Sequence, residues 1–249
     1  MRIVPVPCLK DNYAYLVIDE QARRAAVVDP SEPGPVRRAL DREGVQLSAL
    51  WLTHHHWDHV GGVEALCDAL KPAEVLGSAH DLEHGRIPRQ TRGLSDGEHF
   101  DFGGETVRVL HIPGHTLGAI AYEVDGDLFT GDTLFLGGCG RVFEGTMGMM
   151  AQSLDKLRGL SNDTRVWCGH EYTVKNLQFA RTVEPDHEAV SAALAEAEAK
   201  RSAGEPTVPG TLGNERQVNP FLRFDVAEVS GGDDAVTTFT RLREAKDRF

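Results

Sequence analysis

Short apolar runs alternate with polar and glycine-rich breaks through the first two-thirds of the chain. YAYLVID and RAAVVDP have the texture of strands, and GPVRRALDREG carries apolar positions at helical spacing before a closing glycine. LSALWL is a buried strand leading directly into THHHWDH, VGGVEALCDAL is the helix after it, and AEVLGSAH is the next strand. Beyond LSDGEHF, the segments TVRVLHIPGH, GAIAYEVDGDLFTGD and RVWCGH supply further strands, and Asp125-Gly126 predicts a hairpin turn. A helix is expected over 148–159.

From about Thr173 the pattern changes. VKNLQFARTV and HEAVSAALAEAEAKRSAG are helical, the second rich in alanine and glutamate. A connection containing proline and glycine follows, EPTVPGTLGNERQVNP. DDAVTTFTRLREAKDRF is a last amphipathic helix, with Asp233 or Asp234 as its cap. These shifts predict an α/β layered domain over 1–171 and a small helical domain over 172–249. Neither an internal repeat nor a low-complexity tract is present.

With 249 residues, 41% hydrophobic and 26% charged, the chain can bury a full core. No apolar run approaches the roughly 20 residues of a membrane-spanning helix. The N-terminus reads as the first strands of the fold and not as a signal peptide, so a cytoplasmic protein is expected. Cys8, Cys67, Cys139 and Cys168 are widely spaced, which suits small buried hydrophobes in a reducing compartment better than disulfides or a sulfur-ligated zinc. The net charge of −12 argues against nucleic-acid binding and requires a local basic cluster for any anionic substrate.

THHHWDH concentrates metal-ligand chemistry. Side chains alternate across a strand, so His54 and His56 project to one face and His55 to the other. The first pair is then placed to hold one metal ion. Asp58 and His59 follow where the chain turns toward the next helix, in reach of a second position, and Gly61 and Gly62 permit a close backbone turn there. Three distant elements repeat a strand–glycine–ligand ending: His115 in PGHT, Asp132 in LFTGD and His170 in VWCGH. Several strands emptying onto one sheet edge produce such a repetition. The remaining histidines, His55, His80, His84, His99, His111 and His187, lack this context and are expected at the surface or in hydrogen bonds.

THHHWDH, PGHT, GD and GH, in this order and spacing, resemble the ligand set of the metallo-β-lactamase superfamily. Together with DNYAYLVID, CGRVFEGT, GHEYT, NPFLR and REAKDRF, the chain resembles the glyoxalase II (hydroxyacylglutathione hydrolase) family almost end to end. The resemblance implies an α/β fold of the αββα sandwich type followed by a small helical C-terminal domain. It implies two divalent metal ions: His54, His56 and His115 on one, Asp58, His59 and His170 on the other, with Asp132 bridging. Nitrogen and oxygen donors without thiolate suit zinc first, with iron or manganese as alternatives. Cysteine-type lactamases carry their thiolate ligand where Asp132 stands, and flavodiiron relatives carry glutamate in place of His56.

The implied reaction is hydrolysis of S-(2-hydroxyacyl)glutathione thioesters, chiefly S-D-lactoylglutathione, by hydroxide held between the metals, as in methylglyoxal detoxification. Asp58 is expected to hold metal and, secondarily, to orient the attacking hydroxide. A thiolate whose parent acid has a pKa of about 8.5 to 9 leaves without a dedicated general acid. Arg141, Phe143, Tyr172, Arg243 and Lys246 are the implied glutathione contacts. Arg243 and Lys246 share a helix face, where cations are also common for dipole reasons alone. The family commonly has lysine at the place of Arg141 and tyrosine at that of Phe143, so thiol specificity is open at both. Another hydrolase of this fold acting on thioesters or lactones, a persulfide dioxygenase, and a non-catalytic metal scaffold are the competing readings. A monomer without nucleic-acid or membrane partners is expected.

Overall fold

The computed structural model describes residues Met1–Phe249. By contacts the chain divides into two compact units: Met1–His111 with Gly118–Gly131, and Ile112–Leu117 with Asp132–Phe249.

In the first unit, β1 (Arg2–Cys8), β2 (Asn12–Asp19) and β3 (Arg24–Val28) pair antiparallel. β4 (Gln46–Trp51), β5 (Glu74–Ser78) and β6 (Arg92–Leu94) then join in parallel, giving a six-stranded sheet in sequential order. Parallel neighbours need crossovers. Helices supply them: α1 (Pro33–Glu43) before β4, α2 (Trp57–Val60) and α3 (Val63–Leu70) after it, and α4 (Ala79–Glu83) after β5. As predicted, α1 ends on a left-handed glycine, Gly44 at φ 64°, and buries Val36, Ala39 and Leu40. With Val63 and Leu66 of α3, these pack against Leu16, Val27 and Leu50 of the sheet.

Four more strands, β7 (His99–Phe102), β8 (Glu105–His111), β9 (Ile120–Val124) and β10 (Asp127–Gly131), form an antiparallel meander. Asp125 and Gly126 both have positive φ, 50° and 77°, as the hairpin turn requires. Aromatic side chains join this meander to the first sheet. Tyr122 of β9 stacks on Trp51 of β4 at 5.3 Å, while Phe100 and Phe102 of β7 meet Trp51 edge-on. The Tyr122 hydroxyl donates to Leu52 O at 3.1 Å, and burial raises its pKa well above the ordinary phenol value. A buried phenol needs such a partner, because the dry interior offers no water in its place.

The second unit begins with the short hairpin β11 (Leu134–Phe135) and β12 (Gly138–Cys139), then α5 (Met147–Arg158), capped by Thr146. β13 (Arg165–Cys168) pairs antiparallel with β14 (Gly210–Thr211). α6 (Thr173–Val183) and α7 (Glu188–Ser202) pack through Leu177, Ala180, Val190, Leu194 and Ala197, joined by Val218 of α8 (Leu212–Val218). A 3-10 turn (Pro220–Leu222), α9 (Ala227–Ser230) and α10 (Ala235–Arg248) complete it, with Asp234 accepting from Val236 N and Thr237 N to cap α10.

Three expectations change. The strand before THHHWDH stops at Trp51, so the histidines lie beyond the sheet. The helix expected from Val60 is interrupted at Gly61-Gly62, where Gly62 N donates to Pro30 O at 2.7 Å. The connection after residue 204 contains α8, too short for periodicity to reveal, whose N-terminus is capped by Thr211. All four cysteines are free. Cys8, Cys139 and Cys168 are buried as expected and Cys67 partly so; burial pushes the first three thiols up to about 11, 11 and 12. No helix is long and apolar enough to cross a membrane.

Tyr122→Phe should cost about 1 kcal/mol of stability, the net worth of one buried hydrogen bond, read as a lower urea midpoint with an unchanged slope.

Candidate metal centre

Within the first unit, the metal-ligand motif is arranged by a carboxylate from another strand end. Asp29 follows β3, is 2% exposed, and has a positive φ of 47°. Its Oδ1 accepts from Thr53 N at 2.8 Å, and its Oδ2 accepts from Thr53 Oγ1 at 2.7 Å. Oδ2 also lies 3.0 Å from His59 Nδ1, which donates to it. Thr53 Oγ1, having given its proton to Asp29, accepts from His54 Nδ1 at 3.0 Å. This chain leaves the Nε2 atoms of His54 and His59 as the lone-pair donors, the tautomers that metal ligation needs.

His54 Nε2 and His56 Nδ1 stand 3.1 Å apart. No strand pleat brings them together, since both lie beyond the end of β4. His55 turns toward Asp81, a fully buried carboxylate of α4, at 3.4 Å. Asp58 lies at the start of α2. Asn12 Nδ2 donates to its backbone oxygen at 3.0 Å and to its Oδ2 at 3.1 Å, and that Oδ2 is 3.8 Å from His59 Nε2. Asp29, His54 and His59 together bring ligand atoms within 4.8 Å of one another. Gly131, at the end of β10, faces Thr53 so closely that a Cβ there would collide with Thr53 Oγ1, and its φ is +49°. The glycine of LFTGD is thereby explained.

The second unit carries the other expected ligands. His115 Nδ1 donates to Arg141 O at 2.8 Å, which again leaves Nε2 as the donor atom. Asp132 Oδ2 lies 3.6 Å from His115 Nε2 and 3.2 Å from His170 Nε2. One carboxylate oxygen thus stands between two imidazoles. The His170 ring is fixed by Tyr172, stacked on it at 4.7 Å with an interplanar angle of 4°.

The donors fit a divalent metal: imidazole nitrogens in ligating tautomers, carboxylates beside them, and thiols that are protonated by burial and therefore poor ligands. None of His80, His84, His99, His111 and His187 belongs to a potential ligand cluster.

The expected substrate contacts divide into two kinds. Phe143 is 61% exposed, its ring 5.2 Å from that of His115, and the Arg141 side chain is also largely exposed. Arg243 is buried, with Nη1 donating to Cys139 O at 2.7 Å and Nη2 to Asp247 Oδ1 at 3.0 Å. Arg141 Nε meets the same Asp247 oxygen at 3.4 Å. Lys246 Nζ lies 5.2 Å from the ring centres of both Phe179 and Phe249, and donates to Lys175 O. Burial, with Arg243 and Lys175 adding to it, pushes the Lys246 ammonium down to about 8.

Asp29 and Asn12 were missed by sequence reasoning, although both sit in segments read as strands. An acidic residue directly after RAAVV repeats the strand-end pattern that singled out the ligands, and could have been found by it.

Residues 10–170 match the family model described as metallo-beta-lactamase superfamily, and 171–249 match hydroxyacylglutathione hydrolase C-terminus. The hydroxyacylglutathione hydrolase of Synechococcus sp. (strain JA-2-3B'a(2-13)) is 49% identical over 254 residues, covering all of both chains. Among solved structures, ETHE1 from Myxococcus xanthus superposes with a TM-score of 0.72 at 24% identity, over 98% of this chain and 90% of its own. TTHA1623, crystallised in a di-iron-bound form, gives 0.61 at 27% identity, over 89% of this chain and all of its own. The metallo-β-lactamase fold with a helical C-terminal part, expected from the sequence, is what these likenesses show.

Asp29→Asn removes an acceptor that orients both Thr53 and His59, so metal affinity should fall roughly 10- to 100-fold in chelator competition.

Proposed function

The chain belongs to the hydroxyacylglutathione hydrolase family of the metallo-β-lactamase superfamily, and on that premise we propose that it hydrolyses S-(2-hydroxyacyl)glutathione thioesters, S-D-lactoylglutathione foremost. The products are glutathione and the 2-hydroxy acid, D-lactate in the foremost case, which places the chain in methylglyoxal detoxification. End-to-end likeness to hydrolases of that name, with every expected donor residue present in the sequence, carries the reading.

We assign His54, His56 and His115 to one divalent ion, Asp58, His59 and His170 to a second, and Asp132 as the bridge. Zinc is the first choice, and iron or manganese suits the same donors. The di-iron form of TTHA1623 supports a count of two. Bound there, the ions supply Lewis acidity, polarising a carbonyl and making water nucleophilic near neutral pH. Asp58, held by Asn12, orients the attacking water. The water oxygen adds to the thioester carbonyl carbon, the C–S bond breaks, and the thiolate takes up a proton as glutathione. A thiolate is a good enough leaving group to depart without a dedicated acid.

Glutathione brings carboxylates to an acidic protein, so the cations of the second unit receive it. Arg141 and Lys246 supply charge, Tyr172 and the exposed ring of Phe143 supply contact area, and Arg243 backs Arg141 through their shared Asp247. On this reading residues 1–171 form the catalytic domain and 172–249 the substrate-binding domain. A cytoplasmic monomer is the setting we assign, and four free thiols suit a reducing compartment.

Metal-replete protein should consume S-D-lactoylglutathione, seen as loss of thioester absorbance, and chelation should abolish the rate. Absence of turnover by protein carrying both metals would sink the proposal. The depressed pKa of Lys246 means that its charge is complete well below pH 8 and is lost as pH rises through about 8. KM should therefore rise roughly two- to fivefold across that range, the worth of one partly exposed ion pair. Lys246→Met should begin at the higher KM and lose this dependence.

A further inference from the structure

The β11–β12 hairpin follows Asp132 directly and has only two paired positions, Leu134 with Cys139 and Phe135 with Gly138. So short a ladder does not hold itself. Side chains from later helices hold it, one backbone group after another. Asn219 Nδ2 donates to Phe135 O at 3.2 Å and to Gly138 O at 3.0 Å, and Asn176 Nδ2 donates to Leu136 O at 3.1 Å. Gly137 N donates to Glu215 Oε2 at 2.7 Å, and Arg243 Nη1 donates to Cys139 O and more weakly to Gly140 O. Every residue from Phe135 to Gly140 thus has a backbone group bonded to one of four side chains, each 3% exposed or less.

The four are not independent. Asn219 Nδ2 also donates to Glu215 Oε2 at 2.9 Å, and Asn219 Oδ1 accepts from Phe221 N at 3.0 Å, so the amide orientation is determined by its surroundings. The hairpin passes this order to two candidate ligands. Gly140 lies against the Asp132 carbonyl and His115 Nδ1, so closely that a Cβ would run into Asp132 O, and Gly140 N donates to Thr133 O at 3.2 Å. The next residue supplies the carbonyl, Arg141 O, that fixes the His115 tautomer.

We infer that Glu215, Asn219 and Asn176 are positioning residues for the metal centre, clamping the hairpin that sets His115 and Asp132 and so governing retention of the ion that His115 ligates. The inference rests on the ligand assignment above. It gives the NPFLR segment and the GGCG glycines a role in chemistry to which they contribute no reacting atom. Arg243 belongs to the same clamp through Cys139 and Gly140.

The test compares wild type with Glu215→Met, which removes the acceptor, Glu215→Gln, which keeps one, and Asn176→Ala, which removes a single contact. Protein loaded with both metals is challenged with a chelator, and metal content is followed alongside thermal unfolding and steady-state kinetics. In Glu215→Met the ion that His115 ligates should leave roughly tenfold faster or more, as when groups behind metal ligands are removed elsewhere, while the other, which shares only Asp132 with the clamp, should be accelerated distinctly less. kcat should fall with KM nearly unchanged, Glu215→Gln should recover most of the loss, and Asn176→Ala should show the same selectivity with smaller amplitude. Wild-type release of both ions from folded Glu215→Met and Asn176→Ala overturns the inference. Equal acceleration of both ions in step with a lowered Tm, unrescued by Glu215→Gln, also overturns it. Should Glu215→Met not fold, Asn176→Ala decides by the same criteria. Release is read from metal content, so a failed thioester assay alone strikes the substrate reading and leaves the clamp to be judged on release.

Discussion

The carboxylate of Asp29 is the interaction on which the first unit's metal-ligand motif depends. It is buried, it accepts three hydrogen bonds, and each of its donors belongs to THHHWDH. Burying a carboxylate is costly unless such bonds satisfy it. Here the same bonds fix the course of the chain past β4 and the protonation of two imidazoles. Without them four histidines in seven residues would be a flexible cluster with uncertain tautomers. With them, His54 and His59 present defined nitrogens.

The second unit solves the same problem with different material. The hairpin beside its candidate ligands has only two paired positions, and side chains reaching over from later helices hold it. Side-chain amides, a carboxylate and a guanidinium act where a sheet would otherwise supply hydrogen bonds. In a dry interior such polar groups bond more strongly than in water, and each backbone group of the hairpin that they reach is spared the cost of burial without a partner. That accounts for the glycines: Gly140 admits a neighbouring carbonyl and a ring nitrogen where a side chain would not fit.

Charge follows the same economy. A protein of net charge −12 keeps Arg141, Arg243 and Lys246 together on the second unit, but one aspartate, Asp247, contacts both arginines. Arg243 thereby serves structure first. Arg141 and Lys246 remain the cations with exposed surface, and Lys246 is weakened as a cation by its own burial.

Much of this was legible in the chain alone. Alternating apolar positions located most strands, Asp125-Gly126 marked its hairpin, glycine marked the end of α1, and repeated strand-end histidines and aspartates named the candidate ligands. The pairing of His54 with His56 was read from a strand that in fact ends at Trp51, and their nitrogens approach to 3.1 Å beyond the sheet. Local periodicity determined these features because they depend on neighbours a few residues away. Which groups Asn12, Asp29, Glu215 and Asn219 hold was not legible, since their partners lie 46, 24, 78 and 84 residues off. Helix spacing likewise put Arg243 on a face with Lys246 but did not reveal that a backbone carbonyl occupies its fork. The sequence by itself determined which side chains are able to bind metal and where most of the elements run. Tertiary structure alone decided which groups hold those side chains in ligating form, because a buried polar atom takes its partner from whatever the fold brings against it.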